Sequence, residues 1–148
     1  MKPPCEVVVW YVIPAIRSEL AKELLNLGMK QKDVSELMDI TQPAVSQYIT
    51  DKRGSGIKLG DNVRKMVQDF ARELSEGKAT KADLISRTCI ICKHVETSDV
   101  LNQLNIDKSE LSEDCQSCLG SESKWENIGK NSKVFKVLIT NILLYFLF

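Results

Sequence analysis

Residues 31–55 read QKDVSELMDITQPAVSQYITDKRGS. In Gln31–Met38 the apolar residues Val34, Leu37 and Met38 recur at spacings of three and four, which predicts a short helix with one inner face. The tripeptide Asp39-Ile40-Thr41 breaks that pattern. Thr41 is a candidate N-cap for a second helix from Gln42 to about Thr50, and Pro43 suits its first turn. Ala44, Val45, Tyr48 and Ile49 form the apolar side of this helix. Asp39 falls where a tight turn between helices needs a left-handed backbone, a conformation that glycine adopts freely and aspartate tolerates. Gly54 and Gly56, in the Asp51–Gly56 run that ends the second helix, are placed to let the chain approach closely.

The same periodicity extends in both directions. Upstream, Ala15, Ile16, Leu20, Leu24, Leu25 and Leu27 predict a helix from about Pro14 to Leu27, with Gly28 as its stop. Downstream, Val63, Met66, Val67, Phe70, Ala71 and Leu74 predict one over Asp61–Ser75, with Asp61 as candidate cap and Gly77 as terminator. The first 87 residues are thus read as one mainly α-helical unit, with the paired short helices at 31–50.

Val34, Met38, Ile40, Val45 and Tyr48 fall where a helix-turn-helix buries its side chains. On these residues the segment resembles the Cro/XRE-type helix-turn-helix. Together with the preceding PPCEVVVWYVIPAIRSELAKEL, it resembles a group of archaeal predicted transcriptional regulators over Pro3–Leu74. Ser35 stands where alanine is usual in that motif. The resemblance implies a lambda-repressor-like helical bundle that binds double-stranded DNA as a homodimer, since one recognition helix reads only a half-site. A recognition helix in the major groove shows short polar side chains and amides to the base edges. Gln42, Ser46 and Gln47 are the solvent-facing positions that remain once the apolar ones are assigned inward. Thr41 and Thr50 flank them as candidate phosphate contacts. Beyond, Lys52, Arg53, Lys58, Arg64 and Lys65 face only Asp51 and Asp61, a basic arc suited to backbone phosphates. Thr41, Gln42, Ser46, Gln47, Thr50, Lys52, Arg53 and Lys58 are the expected DNA-binding residues.

The chain's 20 basic and 20 acidic residues balance. Residues 1–51 hold slightly more acidic than basic side chains, so any attraction to DNA depends on the local arc and not on net charge. The N-terminal apolar run Val7–Ile13 is too short for a secretory signal and carries no small-residue cleavage site. A cytoplasmic location is expected, in which five cysteines read as metal ligands or reactive thiols more naturally than as a disulfide framework.

Residues 88–126 form a second compositional unit, with three lysines against eight carboxylates. Cys89 and Cys92 make one Cys-x-x-Cys pair, and Cys115 and Cys118 the other. Each pair can offer two thiolates to one ion from a tight turn, and two pairs complete a tetrahedral site. A small four-cysteine metal-binding module is expected, holding zinc or, as the rival, an iron–sulfur cluster, with a short helix near Asp99–Leu104 between the pairs. Cys5 is an additional thiol, and His94, the single histidine, reads as a surface or supporting group. A dithiol redox enzyme would need a reactive pair opening a helix in an alternating strand–helix pattern, and none flanks these cysteines. With one histidine and no phosphate-cradling glycine loop, the chain shows no catalytic constellation. An adaptor role, with the helical unit docking a protein, is the main alternative, and a dithiol redox protein the weaker one.

Residues 127–148 form a linker and a hydrophobic tail. As a helix, its apolar stretch from Val134 would extend about 22 Å, short of the roughly 30 Å hydrocarbon layer. Packing on the core or across a dimer is the favoured reading of this tail, with a membrane anchor or a segment foreign to the fold as the alternatives.

Overall fold

The computed structural model describes residues 4–110. They are mainly helical, with no strand among them. The chain opens with α1 (Pro4–Val7), a wider π-helical turn (Val8–Val12) and α2 (Ile13–Asn26) in direct succession. The apolar spacing predicts a start at Pro14, whereas helical backbone starts ten residues earlier. The wide turn lies immediately before Pro14, which lacks an N–H and whose ring crowds the carbonyl four residues back. A turn with i→i+5 bonding, here Ile13 N to the Val8 carbonyl, accommodates both defects. Val7, Val8 and Val12 are buried by this extension.

At its other end α2 closes at Gly28, whose φ is +92°. The Gly28 and Met29 N–H groups donate to the carbonyls of Leu25 and Leu24 at 2.9 and 3.1 Å, which satisfies the last carbonyls of the helix. Leu27, expected on the apolar stripe, is exposed at this end. Helices α3 (Gln31–Met38) and α4 (Gln42–Ile49) follow, joined by three residues. Asp39 occupies the left-handed region at φ 55° and ψ 44°. Thr41 caps α4, its hydroxyl oxygen accepting from Ala44 N at 3.2 Å. Helix α5 (Asp61–Ser75) is capped by Gly60, which offers no side chain; Asp61 is its first residue, where a carboxylate complements the helix dipole.

Helix α2 lies at the centre, in contact with α3, α4, α5 and α6 (Leu84–Lys93). Ile16, Leu20 and Leu24 from α2 meet Val34, Val45, Tyr48, Val67 and Phe70 in one buried cluster. Each large side chain enclosed in this way contributes about 1.5–3 kcal/mol. Ser35 is buried where the resemblance would place alanine, and its hydroxyl donates to the Lys32 carbonyl at 2.7 Å, so its polar atom is satisfied.

The compositional boundary between residues 87 and 88 falls inside α6. Ile91 of α6 and Val100 and Leu101 of α7 (Thr97–Leu104) belong to the same core as the upstream helices. The single turn Lys81–Asp83 that leads into α6 is held by a capping box, with Thr80 N and Oγ1 donating to Asp83 Oδ2 at 2.8 and 3.1 Å. No helix among the described residues is long and apolar enough to cross a membrane. The hydrophobic tail 134–148 lies outside the described residues.

Because Leu101 completes the common core, Leu101→Ala should cost about 2–5 kcal/mol of global stability. Chemical denaturation of the full chain should show this as a shift of the single main transition. A separate second domain would instead leave the transition of the upstream helices unmoved.

Candidate nucleic-acid interface and cysteine segment

On α4, Ala44, Val45 and Tyr48 point into the core while Gln42, Pro43, Ser46, Gln47 and Thr50 are exposed. The exposed residues fall in two adjacent rows, 42-46-50 and 43-47, each with a spacing of four, so they share one face. The hydroxyls at the two ends of the helix are engaged locally. Thr41 is the N-cap, and Thr50 Oγ1 donates to the Ser46 carbonyl at 2.8 Å. The side-chain amides of Gln42 and Gln47 and the Ser46 hydroxyl therefore carry the hydrogen-bonding capacity of this face.

The basic arc divides into two sets. Lys52, Lys58 and Lys65 are exposed and form no ion pair among the described residues. Arg53 is half-buried with its guanidinium 5.8 Å from the centre of the Tyr48 ring. Arg64 turns inward, its Nε 3.3 Å from Glu19 Oε1. Asp51, in the left-handed conformation at φ 56°, is paired with Lys22 Nζ at 2.5 Å, so its charge does not oppose the neighbouring lysine. An open cleft of about 480 Å³ lies between α2, this loop and the start of α5.

The glycines of the loop serve the protein's own packing. A Cβ on Gly54, at φ +78°, would stand 2.4 Å from the Pro14 carbonyl oxygen and 2.7 Å from Ser18 Cβ. One on Gly56 would meet the Tyr11 ring at 2.9 Å. The close approach inferred from these glycines is thus to α2 and to the turn preceding it.

Nothing in the local sequence pattern marks Arg17. This half-buried α2 residue lies beside Tyr48. Desolvation lowers its pKa below the ordinary arginine value, opposed by Tyr48 and reinforced by nearby Arg53. Ser18, one residue on, donates to the Tyr48 carbonyl at 3.3 Å. Arg17, Ser18 and Arg53 together fix the C-terminal end of α4. Their spacing in sequence carries no signal of this, because the contact joins positions 30 residues apart.

Cys89 and Cys92 both lie within α6 and not in the tight turn expected from their spacing. They are one helical turn apart, a separation at which side chains are neighbours. Cys92 is half-buried against the core, while Cys89 is on the exposed side. Burial of its sulfur nevertheless pushes the Cys89 thiol up, with Lys93 acting in the opposite direction. Cys115 and Cys118 lie outside the described residues. Among the described residues no group of three or more Cys, His, Asp or Glu side chains could hold a metal ion. Cys5, half-buried in α1, is a free thiol. His94 ends α6 with Nδ1 2.9 Å from the Ile90 carbonyl, consistent with a supporting group at a helix terminus.

Comparison of the chain with protein-family models, curated proteins and solved structures gives no match.

The glycine contacts yield a graded test. Gly28→Ala, strained in φ but with open space around it, should cost about 1–2 kcal/mol. Gly54→Ala adds a backbone clash to the same strain and should cost more than Gly28→Ala, with a correspondingly larger fall in Tm. Equal losses would show that the loop is free to move away from Pro14.

Proposed function

We propose that the chain is a sequence-specific transcriptional regulator whose α3–α4 pair is a Cro/XRE-like helix-turn-helix. In this reading the bundle is lambda-repressor-like, α4 enters the major groove of double-stranded DNA, and the chain acts as a homodimer. One observation carries it: the outer face of α4 gathers Gln42, Ser46 and Gln47, while Lys52 and Lys58 are exposed on the loop that follows. Amides can pair bidentately with adenine edges, and lysines anchor the duplex through its phosphates. The left-handed Asp39 and the Thr41 cap support the motif, because they give the short turn its geometry. Thr41, Thr50 and Arg53 act at the rim, where Arg53 on Tyr48 stiffens the loop as well as adding charge.

Cys89 and Cys92, with Cys115 and Cys118, are the proposed ligands of a structural zinc. A bound zinc would tie the segment beyond α7 back to α6 and so substitute for apolar core. An iron–sulfur cluster on the same thiolates is the competing reading. A reactive dithiol pair opens a helix in an alternating strand–helix pattern, whereas Cys89 and Cys92 lie inside α6. In this reading the chain has no enzymatic role. A soluble regulator of this kind would act in the cytoplasm.

Duplex binding should weaken steeply with salt. Gln47→Ala should cost about 1–3 kcal/mol on the cognate sequence and relax its specificity. Lys52→Ala should weaken all sequences alike and reduce the salt slope by about one. Selection from a random duplex pool, followed by titration at several salt concentrations, measures both effects. Negligible affinity at low salt with metal-loaded protein would overturn the proposal.

Protein purified without oxygen should be colourless and contain zinc, and Cys89→Ser should lose it. A brown solution containing iron would assign the cysteines to a cluster.

A further inference from the structure

Gln103, an exposed residue of α7, reaches 45 positions back along the chain. Its Oε1 accepts from Lys58 N at 2.6 Å, and its Nε2 donates to the Lys58 carbonyl at 3.1 Å. One side chain therefore takes both backbone groups of one residue, much as a paired strand would. The clamp acts at the middle of Ile57–Leu59, where the two flanking apolar side chains are buried. A second tether joins the same downstream segment to the turn before α4, with Lys81 Nζ 2.8 Å from Oδ1 of the left-handed Asp39. Between Lys81 and Gln103 lie α6 and most of α7, seated in the core through Ile91, Val100 and Leu101. A single continuous segment thus holds the chain on both sides of α4.

We propose that Gln103 is a positioning residue of the duplex-binding surface, holding the Lys52–Lys58 loop in register with α4, and that the α6–α7 segment carrying Cys89 and Cys92 is the brace through which it acts. This rests on the duplex-binding reading of α4. Side chains on an unordered loop lose conformational entropy when they dock on phosphates, which reduces the affinity their charges can supply. A loop ordered beforehand avoids that loss. The clamp touches only backbone, so it orders the loop without neutralising a lysine. The Lys81–Asp39 pair is exposed on both sides and contributes less than the amide clamp.

The test compares full-length Gln103→Ala with Asn102→Ala, a neighbouring exposed position on α7, as the surface control. Hydrogen exchange at the Lys58 amide is measured on the free protein. Affinity is measured for selected and random duplexes. In Gln103→Ala the Lys58 amide should exchange on the order of ten times faster. Affinity should fall by a similar or smaller factor for every duplex, with the ratio between selected and random sequences unchanged. Asn102→Ala should leave both readouts as in the wild type. Gln103→Glu keeps the acceptor and loses the donor, so it should protect the Lys58 N–H more than alanine does. Unchanged exchange at Lys58 would overturn the clamp, and faster exchange with unchanged affinity would overturn its role on DNA. A wild type with no duplex affinity would overturn the underlying reading of α4 and the positioning role with it. That failure is told apart because exchange at Lys58 would still respond to the substitution.

Discussion

Ala21 and Leu24 are fully enclosed because α3, α4, α5 and α6 all close on α2. That arrangement sets the geometry of everything at the surface. Small residues at Ala15 and Ala21 leave room for neighbouring helices, and Leu20 and Leu24 fill the space between them. Gly54 lets the loop after α4 pass against the Pro14 carbonyl, a position that no side chain could share. The outward face of α4 is therefore a consequence of how its inward face, Ala44, Val45 and Tyr48, is gripped by α2.

The grip is reinforced by polar contacts at the end of α4. Ser18 holds the Tyr48 carbonyl, Arg17 lies against the Tyr48 side chain, and Lys22 engages Asp51. Exposed pairs such as Lys22–Asp51 contribute little to stability on their own. Their effect is local: they neutralise the one acidic side chain at the helix end and leave Lys52 and Lys58 as its outward charges. The downstream helices act on the same region from the other side, through Gln103 and Lys81.

Much of the helical layout was legible in the sequence. Val34, Met38, Val45 and Tyr48 sit at the periodic spacing of a buried face, and α3 and α5 occupy the residues that this spacing predicts. Asp39 and Thr41 could be read because a left-handed turn and an N-cap each restrict residue type at a single position. Other features could not be read locally. Val7–Ile13 has no clean period, and its helix forms only because Val7, Val8 and Val12 find a core to enter. Gly60 took the cap expected of Asp61, since the N-cap is the residue whose backbone leaves the helix, and that is set by how the chain arrives. The change of composition near residue 88 suggested a separate module, yet Ile91 of α6 and Val100 and Leu101 of α7 are buried in the upstream core. Charge composition describes the solvent face and says nothing about what lies beneath it.

By itself the sequence determined the helical segments over 14–27, 31–50 and 61–75, which side of α3, α4 and α5 is apolar, and which polar residues share the outer side of α4. These follow from periodicity and from caps, which act within a few residues. The tertiary structure decided that Gly54 packs on Pro14, that Arg64 turns towards Glu19 while Lys52 and Lys58 stay outward, and that Cys89 and Cys92 lie on a helix braced against the core. It also decided that Gln103 holds Lys58 across 45 positions. Such contacts join residues with no sequence relation to one another, and they exist only because burial around α2 brings those residues together.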